Sequence, residues 1–238
     1  MKILAVSDVE DNTLENLIDA DIGRFKSVNC IFSCGDLAKK YLEYVTDSLQ
    51  KSLYFVSGNH FTSQFYNENF NSPEMQKKLY YGKGMRHRAG GIDMHGRVEV
   101  LDNYIIVGFG GSMRYNPGNF QFEEQEMEKI VKRAVSAVWN QRIIDFLMLR
   151  RKKEIIVMSH APVKGVHDKE DACHSGFESF RQFVLKMKPL LWLHGHIHIE
   201  GARKQQQSVL GETLIVNVYA SKIINLNGKK IEIKQVFE

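Results

Sequence analysis

The chain has 238 residues, 43% of them hydrophobic and 25% charged, with 32 basic against 28 acidic side chains for a formal net charge of +4. That is the composition of an ordinary globular protein, and its near-balanced charge falls short of a nucleic-acid footprint while permitting anionic substrates. Cys30, Cys34 and Cys173 cannot all pair and share no C-x-x-C spacing, which favours reduced core thiols in a cytoplasmic setting over a disulfide framework.

The opening MKILAVSD has one lysine and too short an apolar run for a signal peptide, and no later stretch reaches the length of a membrane span. A membrane partner is therefore not expected. No Pro/Gly/Ser-rich linker or composition break divides the chain, so residues 1–238 are expected to form one domain.

Residues 2–6 (KILAV) read as a short buried strand, followed by Ser7-Asp8-Val9-Glu10-Asp11 and a helix capped near Asn12 or Thr13. Residues 30–34 (CIFSC) form a second strand closed by Gly35-Asp36 and a helical pattern. Residues 52–56 (SLYFV) form a third, closed by Ser57-Gly58-Asn59-His60. Strand, loop and helix in that order are the sign of βαβ units and a mostly parallel central sheet.

Residues 98–101 and 104–107 pattern as a hairpin turning at Asp102-Asn103, and a long helix is expected over residues 123–150. Its end is crowded with Arg150, Arg151, Lys152 and Lys153, which suits the negative end of a helix dipole better than it suits nucleic acid. Residues 154–158 (EIIVM) are another strand, ending in Ser159-His160. A helix over residues 177–187 precedes the strand LLWLHGHIH, and the tail folds back across Asn227-Gly228, a strong hairpin signal.

Five loops, each directly after a strand, carry Asp8 with Glu10, Asp36, Asn59 with His60, His160, and His196 with His198. In an open α/β sheet ligands sit beyond the carboxyl ends of the strands, so these residues converge although distant in sequence. Carboxylate, imidazole and amide make a mixed oxygen/nitrogen donor set suited to Mn, Fe or Zn more than to Ca. The donors outnumber the needs of one tetrahedral ion. Two ions a few ångströms apart, sharing one carboxylate, would use them all.

The ordered set Asp8-x-Glu10, Gly35-Asp36, Gly58-Asn59-His60, His160 and Gly195-His196-x-His198 resembles the calcineurin-like metallophosphoesterase family, with its D-x-H, G-D, G-N-H, H and G-H-x-H. No single piece is specific, but five in order after five strands are. The resemblance implies an α/β fold, a four-layer αββα sandwich of two mixed β-sheets flanked by helices. It also implies a phosphoric ester hydrolase with two divalent or trivalent metal ions. Carried over, Asp8 and His198 serve the first metal, Asp36 bridges both, and Asn59, His160 and His196 complete the second. His60 is then the catalytic histidine beside the scissile phosphate, and a metal-bridging hydroxide attacks a phosphomonoester or phosphodiester. The alternative is a metal-poor, catalytically weak member kept as a protein-binding scaffold.

The chain departs from the pattern at three positions. Glu10 replaces a histidine, which adds negative charge to the first site and favours Mn or Fe over Zn. Otherwise Glu10 points away and that site is weak or empty. Phe61 follows Asn59-His60 where an acid is common, and Lys39 stands where G-D-x-x-D has aspartate.

Other polar residues have plainer readings. His194 is expected to be a hydrogen-bonded core histidine, and His87, His95, His167 and His174 exposed loop residues, with His174 alternatively lining a substrate pocket. Arg114, in GFGGSMRYN, would either grip a substrate phosphate or form a structural salt bridge. The sequence carries no sign of oligomeric state.

Overall fold

The computed structural model describes residues 1–60, 91–199 and 206–237. The first half alternates strand and helix as the pattern predicts. β1 (Lys2–Ser7), β2 (Cys30–Ser33) and β3 (Ser52–Phe55) are joined through α1 (Asn12–Ala20) and α2 (Lys39–Leu49). The first cap falls one residue earlier than expected: Asp11 Oδ1 accepts the Thr13 and Leu14 N–H groups, because its extended backbone places that oxygen over the first turn.

The chain continues through β4 (Ile92–Asp93), β5 (Val98–Leu101), β6 (Tyr104–Phe109), β7 (Ser112–Met113) and β8 (Gln121–Phe122). Next come α3 (Glu124–Leu147), β9 (Glu154–Ser159), α4 (Glu178–Met187) and β10 (Leu191–His194). The last strands are β11 (Gln206–Leu210), β12 (Thr213–Asn217), β13 (Ala220–Asn227) and β14 (Lys230–Gln235). α3 opens with a reciprocal cap in which the Glu123 and Glu126 side chains each take the other's backbone N–H.

One mostly parallel central sheet, the expectation from strand order, gives way to two. The first runs β14-β13-β1-β2-β3-β4 and the second β11-β12-β10-β9-β6-β5. Each is parallel in its middle and carries an antiparallel pairing towards an edge. The two-sheet sandwich implied by the family resemblance is thus the observed fold. Period-2 geometry shows why. Ile3, Ala5, Cys30 and Phe32 of one sheet share a buried cluster with Ile156, Met158, Leu191 and Leu193 of the other. The intervening residues Leu4, Val6, Ile31, Ile155, Val157 and Trp192 join a separate cluster with the helices. Strands apolar on both faces need cover on both, and here a second sheet and a helix layer supply it.

The tail shows how the sheets are linked. LIVNVYASKIINL does not run on as one element: β12 pairs parallel to β10 in the second sheet, and β13 pairs antiparallel to β1 in the first. The Asn227-Gly228 turn closes β13 on β14 as expected, with Gly228 at φ 58°. Among the described residues no helix is long and apolar enough to cross a membrane.

Candidate metal centre

β1, β2 and β3 end beside one another in parallel, as do β9 and β10, so the loops holding Asp8, Asp36, Asn59, His160 and His196 open at a common rim. Three of these residues have left-handed backbones: Asp8 at φ 69°, Asp36 at 54° and His196 at 66°. Non-glycine residues there cost about 1–2 kcal/mol each and persist only where the surroundings enforce them.

The surroundings are glycines and hydrogen bonds. Asp8 Oδ1 accepts the His196 N–H at 2.8 Å, tying the first motif to the last across the two sheets. Asp36 Oδ1 accepts the His60 N–H at 3.0 Å. A Cβ on Gly195 would lie 2.0 Å from Ser7 Oγ and 2.6 Å from Asp8 Oδ2, and one on Gly58 would lie 2.0 Å from Asp36 Oδ1. Both glycines are there because the backbone passes too close for any side chain.

His160 is fully buried and sits at the centre. Its Nδ1–H donates to the Cys34 carbonyl at 2.8 Å, which points Nε2 at Asn59 Oδ1, 2.9 Å away, and at Asp36 Oδ2, 3.1 Å away. The His196 Nε2–H donates to the Cys173 carbonyl at 2.8 Å and leaves the Nδ1 lone pair for a ligand. One ligand atom each from Asp36, His160 and His196 falls within a mutual 4.8 Å, and so does one each from Cys173, His174 and His196.

The electrostatics are those of a site arranged for positive charge. Burial lifts the Asp8 carboxyl above the usual carboxylate range, and Asp8 Oδ2 is buried with no hydrogen-bond partner among the described residues. Burial also opposes ionisation of Asp36, but the charge and hydrogen bond of His160 outweigh it and hold Asp36 low. For His160 itself burial pushes down, yet the Asp36 carboxylate raises its pKa to about 9. Without metal, an imidazolium thus fills the place where carboxylate and amide oxygens converge. His196, buried and beside that charge, is pushed down to about 3. The orphaned Asp8 oxygen and the converging Asp36, Asn59 and His160 atoms fit a bound cation.

The model of the calcineurin-like phosphoesterase family matches residues 1–200. The chain belongs to that family. Solved structures with the same phosphoesterase fold include one of a Thermus thermophilus protein, 15% identical with a TM-score of 0.58, covering 99% of this chain and 98% of that one. A dimetal phosphatase from Danio rerio is 12% identical with a TM-score of 0.50, over 98% of this chain and 95% of that one. At these identities the likeness speaks for the fold alone. No curated protein matches the sequence.

The remaining family positions are placed less tightly. Glu10 is exposed, and no hydrogen bond or ion pair holds its side chain among the described residues. His198 is also exposed, its ring 5.2 Å from that of Tyr219. His60 stands exposed at the rim behind buried Asn59. Lys39 pairs with Glu43 at 3.0 Å, one turn along α2. Phe61 and His87 lie outside the described residues.

Arg114 is committed to Glu123, Glu126 and the Gln121 carbonyl, which is its structural reading. His174 packs its ring 5.2 Å from that of His196, at the edge of the site. His194 is a fully buried core histidine, as expected. Its Nδ1–H donates to the Gly195 carbonyl, so its Nε2 accepts from His167 Nδ1, and His167 Nε2 accepts from Ser208 Oγ.

Three expectations of exposure fail, and His174 at the edge of the site is one of them, being half-buried. His167 is half-buried in that relay. His95 is only 2% exposed, with Nδ1 accepting the Gly110 N–H and its ring stacked on Phe122. Both partner sets come from distant strands and loops, so nothing local marks these histidines as core. Two neighbours of the site also went unread in the sequence: Tyr115, whose hydroxyl accepts from Asn59 Nδ2 at 3.0 Å, and Cys173, through its carbonyl. Proximity to Arg114 and His174 was their only signal.

Proposed function

We propose that this protein is a dinuclear metal-dependent phosphoesterase acting on a phosphomonoester or phosphodiester. The observation that carries the reading is the convergence of Asp36 Oδ2 and Asn59 Oδ1 on His160 Nε2, at 3.1 and 2.9 Å, beside the unpartnered Asp8 Oδ2. Asp8, Glu10 and His198 would hold one ion, Asn59, His160 and His196 the other, with Asp36 shared. The oxygen-rich set favours Mn or Fe, and Zn is compatible. When bound, such ions supply an acidified water and neutralise phosphoryl oxygens.

The chain's own residues supply orientation and a proton. The Cys34 and Cys173 carbonyls fix which nitrogen of His160 and His196 carries its lone pair into the site. The bond from the His60 N–H to Asp36 anchors the loop that presents the His60 imidazole at the exposed rim. There it would donate a proton to the departing alkoxide. The free thiols of Cys30, Cys34 and Cys173 support a reducing, cytoplasmic setting, and the buried cluster shared by the two sheets supports one domain over residues 1–238.

Metal analysis of the purified protein, with turnover of nitrophenyl mono- and diesters in added Mn, tests the proposal. Two ions per chain with hydrolysis are expected. A second reading, a metal-poor scaffold, is favoured by the exposure of both Glu10 and His198 on the first-metal side. Stable folding with neither metal nor turnover would establish it. In the enzyme reading Glu10→Ala loses the first ion, whereas unchanged metal content and activity would remove Glu10 from the ligand set.

A further inference from the structure

Helix α3 reverses its polarity along its length. Met127, Ile130, Val131, Ala134 and Val138 are buried and recur on one face, as a helix packed on a sheet requires. Past Val138 the same face carries Gln141, Arg142 and Asp145. Asp145 is buried there, held by Lys153 at 2.5 Å and Gln141 at 3.0 Å. Lys153 therefore serves a buried ion pair and not the helix dipole expected from the basic run.

The apolar residues of this last stretch stand on the opposite side. Trp139 is 48% exposed, Ile143 53%, Phe146 77% and Leu147 72%. Beyond the helix, Met148 is 60% and Leu149 93% exposed. Single exposed apolar residues are ordinary, but a contiguous group of this size marks a contact surface. Phe146 and Leu147 end the helix and Met148 and Leu149 turn off it, all four exposed, so the feature is a convex knob.

Its charge says what covers it. Arg142 lies 5.2 Å from the Trp139 ring centroid, and Arg150, Arg151 and Lys152 follow the knob as exposed cations. Asp145 is the only acidic residue between positions 139 and 152, and it is neutralised by Lys153. The nearby acids Glu154 and Glu212 are paired with Lys229 and Lys188. A second copy docking knob to knob would offer this basic cluster no unpaired acid from residues 139–152. A rigid groove would read one helix face, whereas a fluid interface closes around all of a convex end.

We propose that the end of α3 docks on an anionic membrane surface. Trp139, Ile143, Phe146, Leu147 and Leu149 enter the headgroup boundary, and Arg150, Arg151 and Lys152 lie among acidic lipid headgroups. This departs from the sequence-based expectation of no membrane partner. The knob leads into the start of β9, and His160 follows the end of that strand, about 20 Å along it. The metal centre is therefore held at the far end of the second sheet from the lipid.

Flotation of the full chain with phosphatidylcholine vesicles, with and without one third phosphatidylserine, tests this. Binding to the acidic vesicles at low salt is expected, at least about tenfold weaker on neutral vesicles or in high salt. Trp139 fluorescence should shift to the blue on binding. The Phe146→Ser/Leu149→Ser double variant should bind at least about tenfold more weakly while keeping wild-type melting and nitrophenyl ester turnover. The proposal is overturned by absence of binding to acidic vesicles, or by equal binding of the double variant. It is overturned equally if the same substitutions instead abolish a dimer of the chain.

Discussion

His160 Nε2 stands 3.1 Å from Asp36 Oδ2, although the two residues follow strands of different sheets. The sandwich has its rim there, and the contact joins its halves. In the metal-free protein the pair is a charge pair, with burial opposing the imidazolium and Asp36 more than compensating. Asp36→Asn removes both that partner and the shared ligand. The variant should fold yet retain at most one ion per chain by emission spectrometry, with turnover at background. Two retained ions would show that Asp36 is not shared.

His60 is expected to act on the leaving group and not on the ions. His60→Ala should keep the wild-type metal content while kcat falls about 10²–10⁴-fold, the range of a lost general acid. A nitrophenolate leaving group needs little protonation, so the deficit should be smaller on that ester than on an alkyl phosphate. An equal deficit on both would assign His60 another role.

Gly195 tests the packing behind the motif. In Gly195→Ala the new methyl would have to displace Ser7 or Asp8. A loss of about 1–3 kcal/mol is expected from denaturant midpoints. Metal content should drop with it, since Asp8 and the His196 N–H are joined at this spot. A variant as stable and as metal-rich as the wild type would contradict the close approach.

His95 sets a pH dependence away from the metal centre. Burial lowers its pKa to about 4 from an ordinary 6.5. A histidine depressed in the folded state stabilises fully above its unfolded pKa and loses that contribution as pH falls from about 6.5 towards 4. Between pH 7 and 5 this amounts to about 2 kcal/mol from His95 alone. His95→Gln keeps an acceptor for the Gly110 N–H and removes the titration. Its urea midpoint should therefore fall less steeply with acid than that of the wild type, and parallel slopes would contradict the assignment.

The convergence of Asp8, Asp36, Asn59, His160 and His196 was legible because each lies within four residues of the end of an apolar strand and three glycines punctuate the set. Gly58 and Gly195 prove to be sites where no Cβ fits. The two hairpins were legible from Asp102-Asn103 and Asn227-Gly228 for the same local reason. The division into two sheets was legible only through the family resemblance, because strands such as residues 154–158 are apolar on both faces and do not announce their neighbours. His95 and His167 were misplaced since their partners, Gly110, Phe122 and Ser208, meet them only in the fold. Glu10 is where the sequence departs from the family, and its exposed side chain remains the least constrained of the predicted ligands.

Anomalous diffraction from a crystal soaked in Mn and phosphate measures the central claim directly. The account predicts two peaks with the Asp36 carboxylate between them, one against Asp8 and the other against Asn59, His160 and His196. An absence of peaks at this rim, or peaks that leave Asp36 uncoordinated, would contradict it.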